Sequence, residues 1–273
     1  MMKKILLFCL IAIAATSCKT LSGLGELGIN CGVTIKDGCI HEPRMCTALK
    51  PVGPAQAYGL KGITWSDRDT LLYAFLDGQK FQKDIVRKRV SELNGICRIV
   101  FVETTRKSIS DIRISFKYSG SWSYKGTDAK RISKSDATMN YGWIDKYITE
   151  DESRRVVHHE FGHSFGMCHE QQHPLSPIKW DSTANYEYYG KMGWSKQDVN
   201  VNVFGKANVS ETNFTEYDKT SIMHYPVSKF MTTDGYSVGW NTKLSKNDIK
   251  WLQTNYPFKK TNTSTDNKCR LSK

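Results

Sequence analysis

The alternation of apolar and polar residues changes rhythm several times along this chain, and each change marks a different kind of segment. Met1-Met2-Lys3-Lys4 leads into an apolar run from Ile5 to Ala15, shorter than the roughly 20 residues a membrane-spanning helix needs. A charged start before a short apolar stretch is the pattern of a secretory signal, assigned here to residues 1–17. Residues 18–60 carry Gly and Pro with little periodicity and read as a prosegment rather than a domain.

From Ile63 the texture is that of folded protein. Thr70 to Leu76 predicts a strand and Asp77-Gly78 a turn, while Phe81, Ile85, Val86, Val90 and Leu93 recur at helical spacing. Strands follow over Arg98 to Glu103 and Asp111 to Lys117, the second with Ile112, Ile114 and Phe116 on one face. A helix over Glu150 to Phe165 opens with Glu150, Asp151 and Glu152, which suit the positive end of its dipole. Residues 170–243 are rich in Asn, Tyr, Gly and Lys and predict loops and short elements. Ser245 caps a last helix with Asp248 at the capping-box position, Pro257 closes it, and Ile249, Leu252 and Tyr256 point inward. Thr261 to Asn267 is a polar connector.

The helix at 150–165 holds the chemistry. His159 and His163 stand four residues apart, on one helical face, so both rings can reach a single ion. Gly166 lets the chain leave the helix in the left-handed region and bring His169 round as a third ligand. Three imidazoles with an open fourth position describe a catalytic zinc rather than a structural one, and Glu160 is placed to take a proton from a water there. His158 and His224 fall on the wrong register, and His41 and His173 have no partner at ligand spacing; these four read as surface or supporting residues.

A length of 273 residues suits one catalytic domain with processed segments. The net charge of +12 is scattered, without a basic helix, repeat or phosphate loop, so nucleic acid is not an expected partner. Ala15-Thr16-Ser17-Cys18 resembles a bacterial lipobox, which leaves open either a lipid anchor at Cys18 or ordinary release. Both place the mature protein outside the cytoplasmic membrane, as a secreted protein or an outer-membrane lipoprotein, where disulfides persist.

The run His159-Glu160-Phe161-Gly162-His163-Ser164-Phe165-Gly166-Met167-Cys168-His169 has the metzincin pattern, and Ser221-Ile222-Met223-His224-Tyr225 resembles its Met-turn. Glu170 after the third histidine, the Met-turn sequence, Ser110 to Phe116 and Gly120 to Tyr124 resemble the astacin family over roughly residues 60 to 273. The resemblance implies an α+β metzincin fold in a catalytic domain 61–273, divided into an upper subdomain 61–169 and a lower one 170–273. It implies an endopeptidase with one zinc on His159, His163 and His169, acting on proteins or peptides with Glu160 as base; a monomer is the expected state. Tyr225 matches the family tyrosine that holds the metal at rest and then stabilises the oxyanion, with Met223 as an apolar floor. Gly120 to Tyr124 matches the edge strand that aligns substrate, and Cys97 and Cys269 match a family disulfide.

The remaining cysteines bear on latency. The prosegment lacks the Phe-x-Gly-Asp stretch of animal astacins, and Cys31-Gly32-Val33 resembles the core of the matrixin cysteine switch. A thiolate is a better zinc ligand than water, so Cys31 is the candidate inhibitor, with Cys39 and Cys46 free to pair. Cys39 as the switch, or three cysteines that only staple the segment, are the alternatives. Cys168 reads as a buried inert thiol.

Overall fold

The structure is a computed structural model, and it describes residues 34–36, 39–41, 46, 62–206 and 216–259. The chain divides into two compact units, Met1–Pro43 and Arg44–Lys273. In the first, β1 (Thr34–Lys36) pairs antiparallel with β2 (Cys39–His41), Ile35 opposite Ile40. The strands are separated in sequence by Asp37 and Gly38, a dipeptide that favours a tight hairpin turn. That hairpin was not foreseen.

The second unit is built on a mixed five-stranded sheet whose strands are β3 (Thr70–Phe75), β4 (Val100–Glu103), β5 (Ile112–Ser115), β6 (Ser121–Ser123) and β7 (Met139–Tyr141). Their order is β4-β3-β5-β7-β6, parallel except for β6, which runs antiparallel to β7 at the edge. Helix α1 (Lys80–Leu93) turns Val86, Val90 and Leu93 inward, as their spacing predicts, and packs on α2 (Glu150–Phe165). Phe161 and Phe165 of α2 meet Phe101 edge to face at 4.8 and 4.9 Å between ring centres. This seats the inner face of α2 on the sheet.

The β5 strand departs from its sequence pattern. Alternation puts Ile112 and Ile114 in the core, yet Arg113 and Ser115 are also buried. The segment 126–136 covers the second face, and Arg113 donates to the carbonyls of Asp136, Ser110, Ala129 and Ile132. A buried guanidinium is tolerated when its donors are matched in this way.

Beyond the metal helix the expectation of short elements holds only in part. Asp181 caps α3 (Ser182–Lys191) by accepting from Ala184 N, and α4 (Lys196–Val199) continues into a wide helical turn, Asn200–Phe204. Tyr189, Val199, Val203, Val227, Met231 and Val238 form a second small core there. The last helix, α5 (Lys246–Asn255), has the predicted Ser245–Asp248 capping box. No described helix is long and apolar enough to cross a membrane.

Candidate metal centre

Local sequence explains why α2 begins and ends where it does. The Thr149 hydroxyl accepts from Glu152 N at 3.1 Å, behind an acidic first turn. At the other end Gly166 takes φ of 100°, open to glycine at little cost, and Met167 N donates back to Gly162 O at 3.0 Å. The last carbonyls are met by side chains from far along the chain. Trp65 Nε1 donates to Ser164 O at 2.8 Å, and Tyr256 OH donates to Phe165 O while accepting from Trp65 N.

His159, His163 and His169 come together as predicted. Each of the first two has its tautomer fixed by a backbone carbonyl: His159 Nδ1 donates to Ile222 O at 2.8 Å, and His163 Nδ1 to Met167 O at 2.9 Å. Their Nε2 lone pairs are thereby free to bind a metal. The Nε2 atoms of His163 and His169 lie 3.0 Å apart, and all three rings are buried.

The fourth member of the cluster is Cys46. Its Sγ lies 3.9 Å from His163 Nε2, and the four candidate donor atoms all fall within 4.8 Å of one another. The sequence had set Cys46 aside to pair with Cys39; it is instead a free, buried thiol among the imidazoles. Cys31, the sequence candidate for this place, lies outside the described residues. Spacing in the chain could not reveal this, because Cys46 reaches its partners across more than a hundred residues.

The donor set suits zinc, which takes imidazole nitrogen and thiolate sulfur in tetrahedral sites. His159 Nε2 is buried without a hydrogen-bond partner among the described residues, as a nitrogen facing a cation would be, and both oxygens of Glu160 are buried beside it. Burial pushes the His159 pKa down to about 4 and those of His163 and His169 well below their usual range, favouring the neutral rings that a metal needs. Burial also pushes Glu160 up to about 8, offset partly by Cys46 and Arg155, and pushes the Cys46 thiol well up, with the Glu160 charge adding to it. A bound dication would reverse that logic and hold the thiol deprotonated.

Tyr225 and Met223 complete the surroundings. The Tyr225 hydroxyl donates to Cys46 O at 2.6 Å, and its ring centre lies 4.4 Å from that of His169. Met223 packs beneath α2, so close that a Cβ on Gly162 would stand 2.4 Å from its sulfur. Gly162 therefore belongs to the site for steric reasons, although the motif leaves its position unspecified. Glu170 is half-buried, accepts from Asp218 N at 2.8 Å, and is pushed up to about 8 chiefly by desolvation. Arg155, one turn before His159, pairs both of its outer nitrogens Nε and Nη2 with Glu152 and lies 4.4 Å over the Trp240 ring.

The other histidines support rather than bind. His158 Nε2 donates to Arg89 O at 3.0 Å, and His224 Nδ1 donates to Tyr225 O while its Nε2 accepts from Tyr217 OH at 2.7 Å. His173 Nδ1 accepts from Leu175 N. All three are buried, not at the surface; the side chain of His41 lies outside the description. Cys97 is buried and free among the described residues, and its expected partner Cys269 lies outside them, as does Cys18. Cys168 is buried with its thiol 3.9 Å from Gly166 O.

No family model matches the chain, and no curated protein matches it. Solved structures do. A structure of myroilysin is 36% identical with a TM-score of 0.70, covering 73% of this chain and 98% of that one. A crystal structure of myroilysin is 35% identical with a TM-score of 0.57, covering 78% and 91%. High choriolytic enzyme 1, a hatching enzyme zinc-protease from the medaka fish Oryzias latipes, is 18% identical with a TM-score of 0.51, covering 72% and 96%; at that identity the likeness is one of fold.

Proposed function

Since the chain belongs to the astacin family of metzincin zinc metallopeptidases, we propose that it is made as a latent endopeptidase whose zinc site is closed by Cys46. The observation that carries this reading is the Cys46 sulfur among the imidazoles of His159, His163 and His169. In the latent form these four residues hold the zinc. Removal of the segment bearing Cys46 frees the fourth position for water.

Zinc in this site supplies Lewis-acid activation of a water and of the scissile carbonyl. Glu160 accepts the proton of the attacking water and delivers it to the departing amine, a role that needs a carboxylate beside the metal but not on it. Once Cys46 O has gone, the Tyr225 hydroxyl is released to donate to the oxyanion. Substrates are proteins or peptides; β6 offers its outer edge to an extended chain, with Trp122 half-buried beside it.

The proposed organisation is a signal at 1–17, a prosegment at 18–60 and a catalytic domain at 61–273, acting outside the cytoplasmic membrane. Glu170 is the acceptor for the new amino terminus, a half-buried carboxylate whose charged form a nearby ammonium would favour. The test is to compare the uncleaved parent with uncleaved Cys46→Ala on a quenched peptide. Cys46→Ala is expected to hydrolyse it directly, and the parent only after cleavage or capture of the thiol by a mercurial. A latent Cys46→Ala protein that still binds zinc would refute the switch.

A further inference from the structure

Asp248 sits in α5, well away from the zinc ligands in sequence, yet it is 3% exposed and accepts from three donors. Its Oδ1 accepts from Ser221 Oγ at 2.6 Å; its Oδ2 accepts from Ile222 N at 2.9 Å and from Ser245 N at 2.8 Å. Only the last of these belongs to the helix cap. The other two fasten the Met-turn, more than twenty residues upstream.

The fastening continues to the metal site. Ser221 Oγ, having donated its proton to Asp248, accepts from Met223 N at 3.1 Å. The peptide that owns this N–H also owns the Ile222 carbonyl, which accepts from His159 Nδ1 at 2.8 Å. Carboxylate, hydroxyl, peptide and imidazole thus form one oriented series, each member donating toward Asp248. Hydrogen bonds in series polarise one another in a low-dielectric interior. The negative charge of Asp248 draws the Ser221 proton, leaves that oxygen a better acceptor for Met223 N, and enriches the Ile222 carbonyl that faces His159. A carboxylate hydrogen-bonded directly to a ligand histidine fixes its tautomer and raises the basicity of its metal-binding nitrogen.

We infer that Asp248 is a positioning residue for the zinc site, acting on His159 through Ser221 and the Ile222–Met223 peptide. The arrangement singles out His159: His163 donates to the Met167 carbonyl within its own helix end, and His169 Nδ1 has no hydrogen-bond partner among the described residues. It also gives the capping box of α5 two tasks, and these can be separated experimentally.

The inference rests on His159 being a zinc ligand, and the test keeps the two apart. Zinc affinity of the full chain is measured by chelator competition, with the visible spectrum of the cobalt-substituted protein as a second readout. Asp248→Asn and Ser221→Ala are expected to weaken zinc by about 10- to 100-fold, the usual effect of losing an outer-shell partner, and to shift the cobalt bands. Ser245→Ala removes the hydroxyl cap of α5 but leaves the Met-turn contacts; it is expected to lower the melting temperature while leaving affinity and spectrum unchanged. In a His159→Ala background, Asp248→Asn is expected to cause no further loss. Overturning results are zinc affinity in Asp248→Asn within twofold of the parent, equal weakening by Ser245→Ala, or a further tenfold loss on top of His159→Ala. Parent-like zinc binding by His159→Ala alone would instead remove the ligand assignment on which the inference stands.

Discussion

The Tyr225 hydroxyl donates to the backbone carbonyl of Cys46 at 2.6 Å, so the residue assigned to the oxyanion is occupied by the segment that supplies the fourth metal donor. In the proposed latent form, inhibition and catalysis would compete for one phenol. Tyr225→Phe in the processed enzyme is expected to lower kcat about 10²-fold with little change in KM, the loss typical of an oxyanion donor. In the uncleaved chain the same change removes a contact to the prosegment, and activation by a mercurial is expected to be faster. Steady-state kinetics on the processed form and activation time courses on the precursor check the two halves. A rise in KM at constant kcat would make Tyr225 a substrate-binding residue instead.

Glu160→Gln is expected to keep zinc and fold but to lose hydrolysis by at least about 10²-fold, since it removes the proton carrier and no ligand. Metal content and peptide turnover on the same preparation decide this. Zinc loss accompanying the loss of activity would mean that Glu160 holds the metal.

Gly162→Ala places a methyl where Met223 sulfur already stands. Overpacking of this kind costs about 1–3 kcal/mol, and thermal unfolding of the zinc-free protein reads it directly. Adding Met223→Ala should recover most of the loss. If the two substitutions are simply additive, the contact does not constrain the helix.

His158 predicts a pH dependence. Burial depresses its pKa from 6.5 to about 4, so the unfolded chain takes up this proton at a higher pH than the folded one. Its contribution to stability is complete above about pH 6.5 and is lost as pH falls toward 4, a total of roughly 3 kcal/mol for a shift of this size. Chemical denaturation at several pH values, parent against His158→Gln, should show a shallower acid slope in the variant. Parallel slopes would refute the assignment.

Much of the site was legible because its parts lie close together in sequence. His159, His163, Gly166 and His169 are set by helical period and one left-handed turn, so spacing alone places them. The limits of α2 and α5 were legible for the same reason, through their caps, and the inward stripe of α1 through its apolar periodicity. What escaped was non-local. Cys46 reaches the metal ligands from a segment with no periodic pattern, and its neighbours Cys31 and Cys39 are chemically equivalent candidates. Helix α3 was hidden because Tyr186, Tyr188 and Tyr189 pack on aromatic partners in a small separate core, which no heptad-like stripe announces. The burial of Arg113 depends on carbonyls presented by a loop, a match that only the folded chain shows.

The end of the metal helix depends on residues near both borders of the domain. Ser164 O needs Trp65, and Phe165 O needs Tyr256, which also receives the Trp65 backbone N–H. A growing chain has Trp65 and the whole of α2 long before Tyr256 is made. Until then the final turn lacks one of its donors, and the Met-turn lacks Asp248. Order of synthesis thus sets when the site is complete: a chain lacking its last helix holds all three histidines but neither Asp248 nor the Tyr256 hydroxyl to brace them.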